Sequence, residues 1–330
     1  MTPPAEFILL AGFLGSGKTS LLVDWLALPE AADTAVIVNE AGEIDVDGAI
    51  LSDSGAVPMA MLANGCVCCS LTSDLVFTVR ALLEERARAG RPPFRRIVLE
   101  CSGLSKPGPI LRSLLPLAPL GLRVRVLATC DASQALERAA HFEELTAQIA
   151  AAGAVVFTKL DLADVSAAEA LVASVNPLAA RVVEADRPTR ARAAFAGFAE
   201  EAAAAAAQHP VVSPGAAHPR VSVLRASFTG EASWEDRLDW MEDLAAFCGD
   251  RLLRVKGFVR RPGSEVPLLV QAVGTLFGPP SPMPGARNAE EGLVVIARDL
   301  DAEELRAAMP GAPVRLTRLR GGAPLACAPA

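Results

Sequence analysis

The chain has 330 residues, 52% hydrophobic and 21% charged, with a formal net charge of -7. It is long and apolar enough to bury two ordinary cores, which excludes a disordered chain, and too acidic for a chain-wide affinity for nucleic acid or anionic membranes. No run of about 18 uninterrupted apolar residues occurs, and no basic residue precedes the apolar stretch Phe7–Leu14, which argues against a membrane span and a secretory signal.

In chain order, the first half alternates between two patterns. Phe7–Ala11 reads as a buried strand, Lys18–Leu28 as a helix and Ala35–Val38 as a second strand. Thr72–Arg88 reads as a helix with Leu75, Val79, Leu82 and Leu83 on one face. Arg96–Leu99, Val124–Ala128 and Ala154–Phe157 are further strands, with helical stretches between them that include His141–Ala151. Such alternation predicts an α/β fold, a doubly wound and mainly parallel sheet covered on both faces.

Phe195–Gln208, with alanine throughout 202–207, reads as a helix, and residues 209–219 hold three prolines and a glycine, the composition of a linker. Beyond it the regular alternation stops. Ser222–Ser227, Leu252–Arg261, Val266–Val273 and Leu293–Ala297 read as strands, Ser233–Phe247 and Asp301–Met309 as helices, and Pro279–Pro284 as a loop. This predicts a smaller α+β domain, so the expected division is 1–208, a linker at 209–219, and 220–330. In Leu252–Arg261, Leu253, Val255 and Val259 alternate with Arg254, Lys256 and Arg260. The alternation predicts a half-buried strand with one basic face, either solvated or a docking surface.

Gly12-Phe-Leu-Gly-Ser-Gly-Lys-Thr19 fits the phosphate-loop pattern G-x-x-x-x-G-K-[ST] between a strand and a helix. Glycines at 12, 15 and 17 let backbone N–H groups curl around phosphates, and the helix N-terminus, with Ser16 and Ser20 beside it, adds positive potential. Lys18 is placed to reach the β and γ phosphates and Thr19 to ligate Mg²⁺. Glu100 ends the third predicted strand in Glu100-Cys-Ser-Gly103, where it can hold Mg²⁺ through water while Gly103 offers an N–H to the γ phosphate. Thr158-Lys-Leu-Asp161 follows the fifth strand. The Asp161 carboxylate can accept from guanine N1–H and the 2-amino group, adenine would leave it unpaired, and the Lys159 stem can pack over the purine. Asparagine is the commoner residue at the position of Thr158.

Cysteine is the other anomaly. Of seven cysteines, Cys66, Cys68 and Cys69 fall within four positions, while Cys101, Cys130, Cys248 and Cys327 are scattered. The odd count and the length do not suit a secreted disulfide scaffold, so free thiols in a reducing cytoplasm are expected. Three adjacent thiolates are soft ligands for Zn²⁺, Co²⁺ or Cu⁺, and an incomplete set suits transfer better than permanent binding. With only three histidines in the chain, few other soft ligands are available. Only four of the 31 basic residues are lysines, and of these Lys18 and Lys159 have roles in nucleotide binding while Lys106 has no evident role.

Taken together, Gly12–Thr19, Asn39-Glu-Ala-Gly-Glu-Ile-Asp-Val-Asp47, Gly65-Cys-Val-Cys-Cys69, Glu100–Gly103 and Thr158–Asp161 stand in the order seen in the CobW-type metal-chaperone GTPases, which the chain resembles over nearly its full length. Arg251-Leu-Leu-Arg-Val-Lys-Gly257 and Gly292–Leu300 resemble that family's carboxy-terminal domain. The resemblance implies a cytoplasmic GTPase that loads Zn²⁺ or Co²⁺ into a client metalloprotein or a metal-inserting enzyme, with no nucleic-acid or membrane partner and with a homodimer left open. It also implies that Glu40, after the second strand, links metal or Mg²⁺ coordination to the γ phosphate. The catalytic set is then Lys18, Thr19, Glu40 and Glu100. Two other readings use the same phosphate loop: a phosphotransferase acting on a small molecule, which needs neither the cysteines nor Asp161, and a non-catalytic, nucleotide-gated interaction module docking through Arg254, Lys256 and Arg260.

Overall fold

The computed structural model describes residues 5–38, 59–61, 71–196, 218–230 and 232–319. They fall into two units, one taking residues 1–148, 152–165 and 181–197, the other 149–151, 166–180 and 198–330. No helix among the described residues is long and apolar enough to cross a membrane.

The first unit is built on a sheet whose strands are β1 (Glu6–Gly12), β2 (Thr34–Val38), β3 (Met59–Met61), β4 (Arg96–Glu100), β5 (Arg123–Asp131), β6 (Ala154–Thr158) and β7 (Ala180–Val182). Their order is β3-β2-β4-β1-β5-β6-β7, and the pairings of β1 with β4 and β5, β2 with β3 and β4, and β5 with β6 are all parallel. Phe7, Ile8, Leu9 and Leu10 of β1 are fully buried, as the central strand of a sheet covered on both faces must be. The helices that follow these strands in sequence are α1 (Lys18–Leu26), α2 (Leu71–Arg88), α3 (Pro107–Ser113), α4 (Ala135–His141), α5 (Glu143–Ala151), α6 (Ser166–Val175) and α7 (Arg187–Phe195), of which α6 and residues 149–151 of α5 fall in the second unit. The predicted helix Phe195–Gln208 and the linker lie outside the described residues apart from their edges. Lys106 serves the fold, since it forms an ion pair with Glu143 that joins the start of α3 to that of α5.

The second unit holds the strands β8 (Val221–Phe228), β9 (Leu252–Val259), β10 (Leu268–Val273), β11 (Leu276–Phe277), β12 (Ser281–Pro282), β13 (Gly292–Arg298) and β14 (Val314–Arg318). They form an antiparallel sheet in the order β11-β10-β9-β13-β8-β14, with β12 paired to β10. Helices α8 (Trp234–Cys248) and α9 (Ala302–Ala308) contribute Trp240, Met241, Leu244 and Leu305 to a core with Val255, Leu293 and Val295. Ser233 caps α8 and its N–H is capped in return by Asp236, a reciprocal box that satisfies two of the orphan groups of that end.

The basic face predicted for Leu252–Arg261 is not a surface. Every residue of β9 is buried, and Arg254 and Lys256 are 6% and 4% exposed. Alternation marks two faces of a strand but not whether the polar one is covered, and here Arg254 donates to the carbonyl of Ala151 within the same unit. Arg260, past the strand, binds the carbonyls of Glu265, Arg287 and Ala289. Arg254 and Lys256 therefore offer no docking surface to a partner.

Burial, aided by the charge of Arg254, lowers the pKa of Lys256 to about 7 from its ordinary 10.5. A folded value below the unfolded one means that the unfolded chain binds more protons between those two limits, so this group makes stability rise with pH across that window. Lys256→Met should flatten that rise and raise stability at pH 7 by on the order of 4 kcal/mol. Thermal melts of both proteins at pH 7 and pH 10 read this directly, and a parallel pH dependence in the two would contradict it.

Candidate functional site

The phosphate loop spans the end of β1 and the first turn of α1. Gly12 has φ +143°, and a Cβ there would stand 2.1 Å from Thr129 Oγ1 and 2.8 Å from the Thr129 carbonyl, so this close approach admits only glycine. Ser16 Oγ shares a 2.7 Å hydrogen bond with Thr129 Oγ1, which ties the loop to β5. Gly15 and Gly17 also have positive φ, at 64° and 88°. Lys18 is buried, and its ammonium donates to the carbonyls of Gly12 at 3.0 Å and Phe13 at 3.3 Å. Ser20 is exposed one residue beyond Thr19 on α1.

Two other segments close on this loop. Glu100 ends β4 in register with Leu10 of β1, and the Thr19 hydroxyl donates to Glu100 Oε1 at 2.6 Å. Past it, Gly103 packs so closely on Leu14 that a Cβ would be 2.5 Å from the Leu14 amide nitrogen. At the end of β6, the Thr158 hydroxyl donates to the Ser16 carbonyl at 2.8 Å and lies 3.4 Å from the Cys130 carbonyl. The shorter side chain thus makes a polar tie of its own at a position where asparagine is commoner. Lys159 sits at φ +55° and its ammonium donates to Asp131 Oδ2 at 2.7 Å. Asp161 is exposed two residues on.

Sequence reasoning missed three residues of this site. Asp131 ends β5 and is nearly fully buried; burial pushes its pKa up, but hydrogen bonds from Lys159 and Ser133 outweigh that and hold it below the ordinary carboxylate value. An acid closing an apolar run was its available signal, the same signal that marked Glu100. Gln148 of α5 is fully buried and donates to the carbonyls of Gly103 at 2.9 Å and Ser105 at 3.0 Å, fixing the loop after β4. Arg138 of α4 donates to the Leu14 carbonyl at 2.8 Å. Neither side chain had a local signal, because its partners are 43 or more positions away.

The donor set suits Mg²⁺: a hydroxyl and a carboxylate, both hard oxygens, meet at the mouth of the loop. For a transition metal, no group of three or more His, Cys, Asp or Glu among the described residues is placed to hold an ion. Cys66, Cys68, Cys69 and Glu40 lie outside the described residues. Of the scattered thiols, Cys101, Cys130 and Cys248 are free and buried. Burial raises all three, Cys130 to about 12, Cys248 to about 11 and Cys101 further still, which makes them inert at neutral pH.

Comparison with known proteins adds the following. Residues 6–183 match the family described as CobW/HypB/UreG, nucleotide-binding domain, and residues 221–312 match the cobalamin synthesis protein cobW C-terminal domain. The zinc chaperone YjiA of Escherichia coli (strain K12) is 32% identical over 327 residues, an alignment covering 93% of this chain and 98% of the relative. The zinc chaperone CobW of a Sinorhizobium species is 29% identical over 340 residues, covering 91% and 95%. Among solved structures, the Zn(II)-bound YjiA GTPase from E. coli superposes with a TM-score of 0.68 at 23% identity, over 94% of this chain and 99% of that one, which is a likeness of fold.

Proposed function

The chain belongs to the CobW family, carrying both its nucleotide-binding and its carboxy-terminal domain, and on that premise we propose that it hydrolyses GTP and carries zinc to a client metalloprotein or metal-inserting enzyme. One observation carries the nucleotide half of this reading. Two segments far from it in sequence converge on the loop Gly12–Thr19: Glu100–Gly103, with Glu100 on Thr19 and Gly103 on Leu14, and Thr158 on Ser16. That convergence supports reading the loop as phosphate-binding, Glu100–Gly103 as phosphate-sensing and the segment after Thr158 as base-reading. The zinc half is supported by the Cys66-x-Cys68-Cys69 cluster and by relatives named zinc chaperones.

In this reading the loop amides and Lys18 bind the β and γ phosphates. Thr19 and Glu100 would hold Mg²⁺, whose charge, when bound, offsets that of the phosphates. Asp161 reads guanine, with Thr158 fixing its loop to the phosphate loop and Asp131 holding the Lys159 ammonium. Zinc is cargo: the thiolates of Cys66, Cys68 and Cys69 take it up, and Glu40 couples them to the nucleotide state. A thiolate set accepts Co²⁺ as well as Zn²⁺, and the naming of the relatives is what favours zinc. The switch is a change in how Glu40 and the three thiolates hold zinc as GTP is hydrolysed.

The test is nucleotide choice. The protein should bind and hydrolyse GTP in preference to ATP by about 100-fold or more, and Asp161→Asn should erase most of that preference, because an amide no longer accepts from both guanine donors. Equal use of ATP and GTP by the unaltered protein would point instead to a small-molecule phosphotransferase.

A further inference from the structure

The phosphate loop carries a second cation besides its own lysine. Lys18 holds the carbonyls of Gly12 and Phe13, and Arg138 holds the next one, Leu14. Two cations thus grip three successive carbonyls. The Arg138 guanidinium lies 5.4 Å over the ring of Phe13, which itself packs 4.8 Å from the ring of Phe142. Its Nη2 stands 4.0 Å from where a Cβ of Gly15 would be. The side chain is therefore aimed along Leu14 and Gly15, the outer bend of the loop.

Among the described residues, charge is not balanced there. Arg138 has Asp131 as its acidic neighbour at 3.6 Å, and Lys159 already holds the same carboxylate oxygen at 2.7 Å. One carboxylate shared by two cations leaves net positive charge beside the loop. A guanidinium has five N–H donors. The bond to Leu14 takes one, and 3.6 Å is longer than a hydrogen bond. The side chain is 20% exposed, enough to meet a ligand and little enough to strengthen its field.

We propose that Arg138 acts in cis on the nucleoside triphosphate, donating hydrogen bonds to oxygens of the terminal phosphate and offsetting the charge that develops there during hydrolysis. The proposal rests on the GTPase reading above. In the step itself, the oxygen of water bonds to the γ phosphorus while the bond from that phosphorus to the β–γ bridging oxygen breaks. The electron pair stays on GDP, the protons of water leave with inorganic phosphate and to solvent, and Arg138 transfers none. A cis arginine of this kind serves the transition state more than the ground state, so its loss lowers kcat and leaves GDP binding nearly intact.

The experiment is steady-state hydrolysis of saturating GTP by the full chain, alongside fluorescent-GDP affinity, for the unaltered protein, Arg138→Ala and Arg138→Lys. Arg138→Ala should lower kcat by roughly 100- to 1000-fold with GDP affinity within about threefold, and Arg138→Lys should recover part of the rate. A residue that only clamps the loop would instead weaken GDP and GTP together at unchanged kcat, and that result, or a kcat within threefold of the unaltered protein, overturns the proposal. Should the alanine variant misfold by circular dichroism, the lysine variant decides: full activity overturns, a deficit in kcat at unchanged GDP affinity supports. Absence of GTP hydrolysis by the unaltered protein removes the GTPase reading itself, a result distinct from either.

Discussion

Lys18→Ala should lower kcat/KM for GTP by about 1000-fold or more. The ammonium is buried against the loop it serves, 3.0 Å from the Gly12 carbonyl, so it meets phosphate in a place where water screens little. A charge-assisted hydrogen bond is worth about 1.5–3 kcal/mol in binding, or roughly ten- to a hundredfold. Loss of a preorganised donor to the charge that develops in the reaction costs a further 100-fold or so in kcat. Lys18→Arg should not rescue, because a planar fork does not replace a compact ammonium folded onto two carbonyls. Titration of labelled GTP and a phosphate-release assay give both numbers. Unchanged binding and turnover in the alanine variant would place the nucleotide elsewhere.

Joint replacement of Cys66, Cys68 and Cys69 by alanine should remove stoichiometric zinc binding, weakening it by about 1000-fold or more. The free thiols at 101, 130 and 248 are buried and held protonated at neutral pH. The chain has only three histidines, and no group of three suitable ligands forms among the described residues. Competition against a chromophoric chelator measures the loss, and Co²⁺ used as a spectroscopic probe should lose its near-ultraviolet thiolate absorption in the same variant. Zinc held as tightly by the triple variant would move the cargo site away from the cysteines.

Much of this is legible in the sequence, and the remainder is hidden for identifiable reasons. Strands β1, β4 and β6 are short apolar runs bounded by turn residues, which is how a doubly covered parallel strand is written. β3 and β7, three residues each, are too short to show any period. β14, Val-Arg-Leu-Thr-Arg, lies at an edge and is masked by its charges. The face of Arg254 and Lys256 misleads because a strand's period reveals its two sides and not what covers them. In the site, Gly12–Thr19, Glu100 and Thr158–Asp161 are readable because their spacing is local. Arg138 and Gln148 are not, since each acts on a carbonyl that only the folded sheet brings near.

Whether zinc is carried under the control of the nucleotide is decided most directly by the zinc affinity of the unaltered protein in two states, one loaded with GDP and one with a non-hydrolysable GTP analogue and Mg²⁺. Coupling of the usual size, about 1–3 kcal/mol, predicts zinc roughly 5- to 150-fold tighter in the GTP-like state, and by reciprocity an equal gain in affinity for the analogue when zinc is bound. Equal zinc affinity in the two states would contradict carriage by a nucleotide switch.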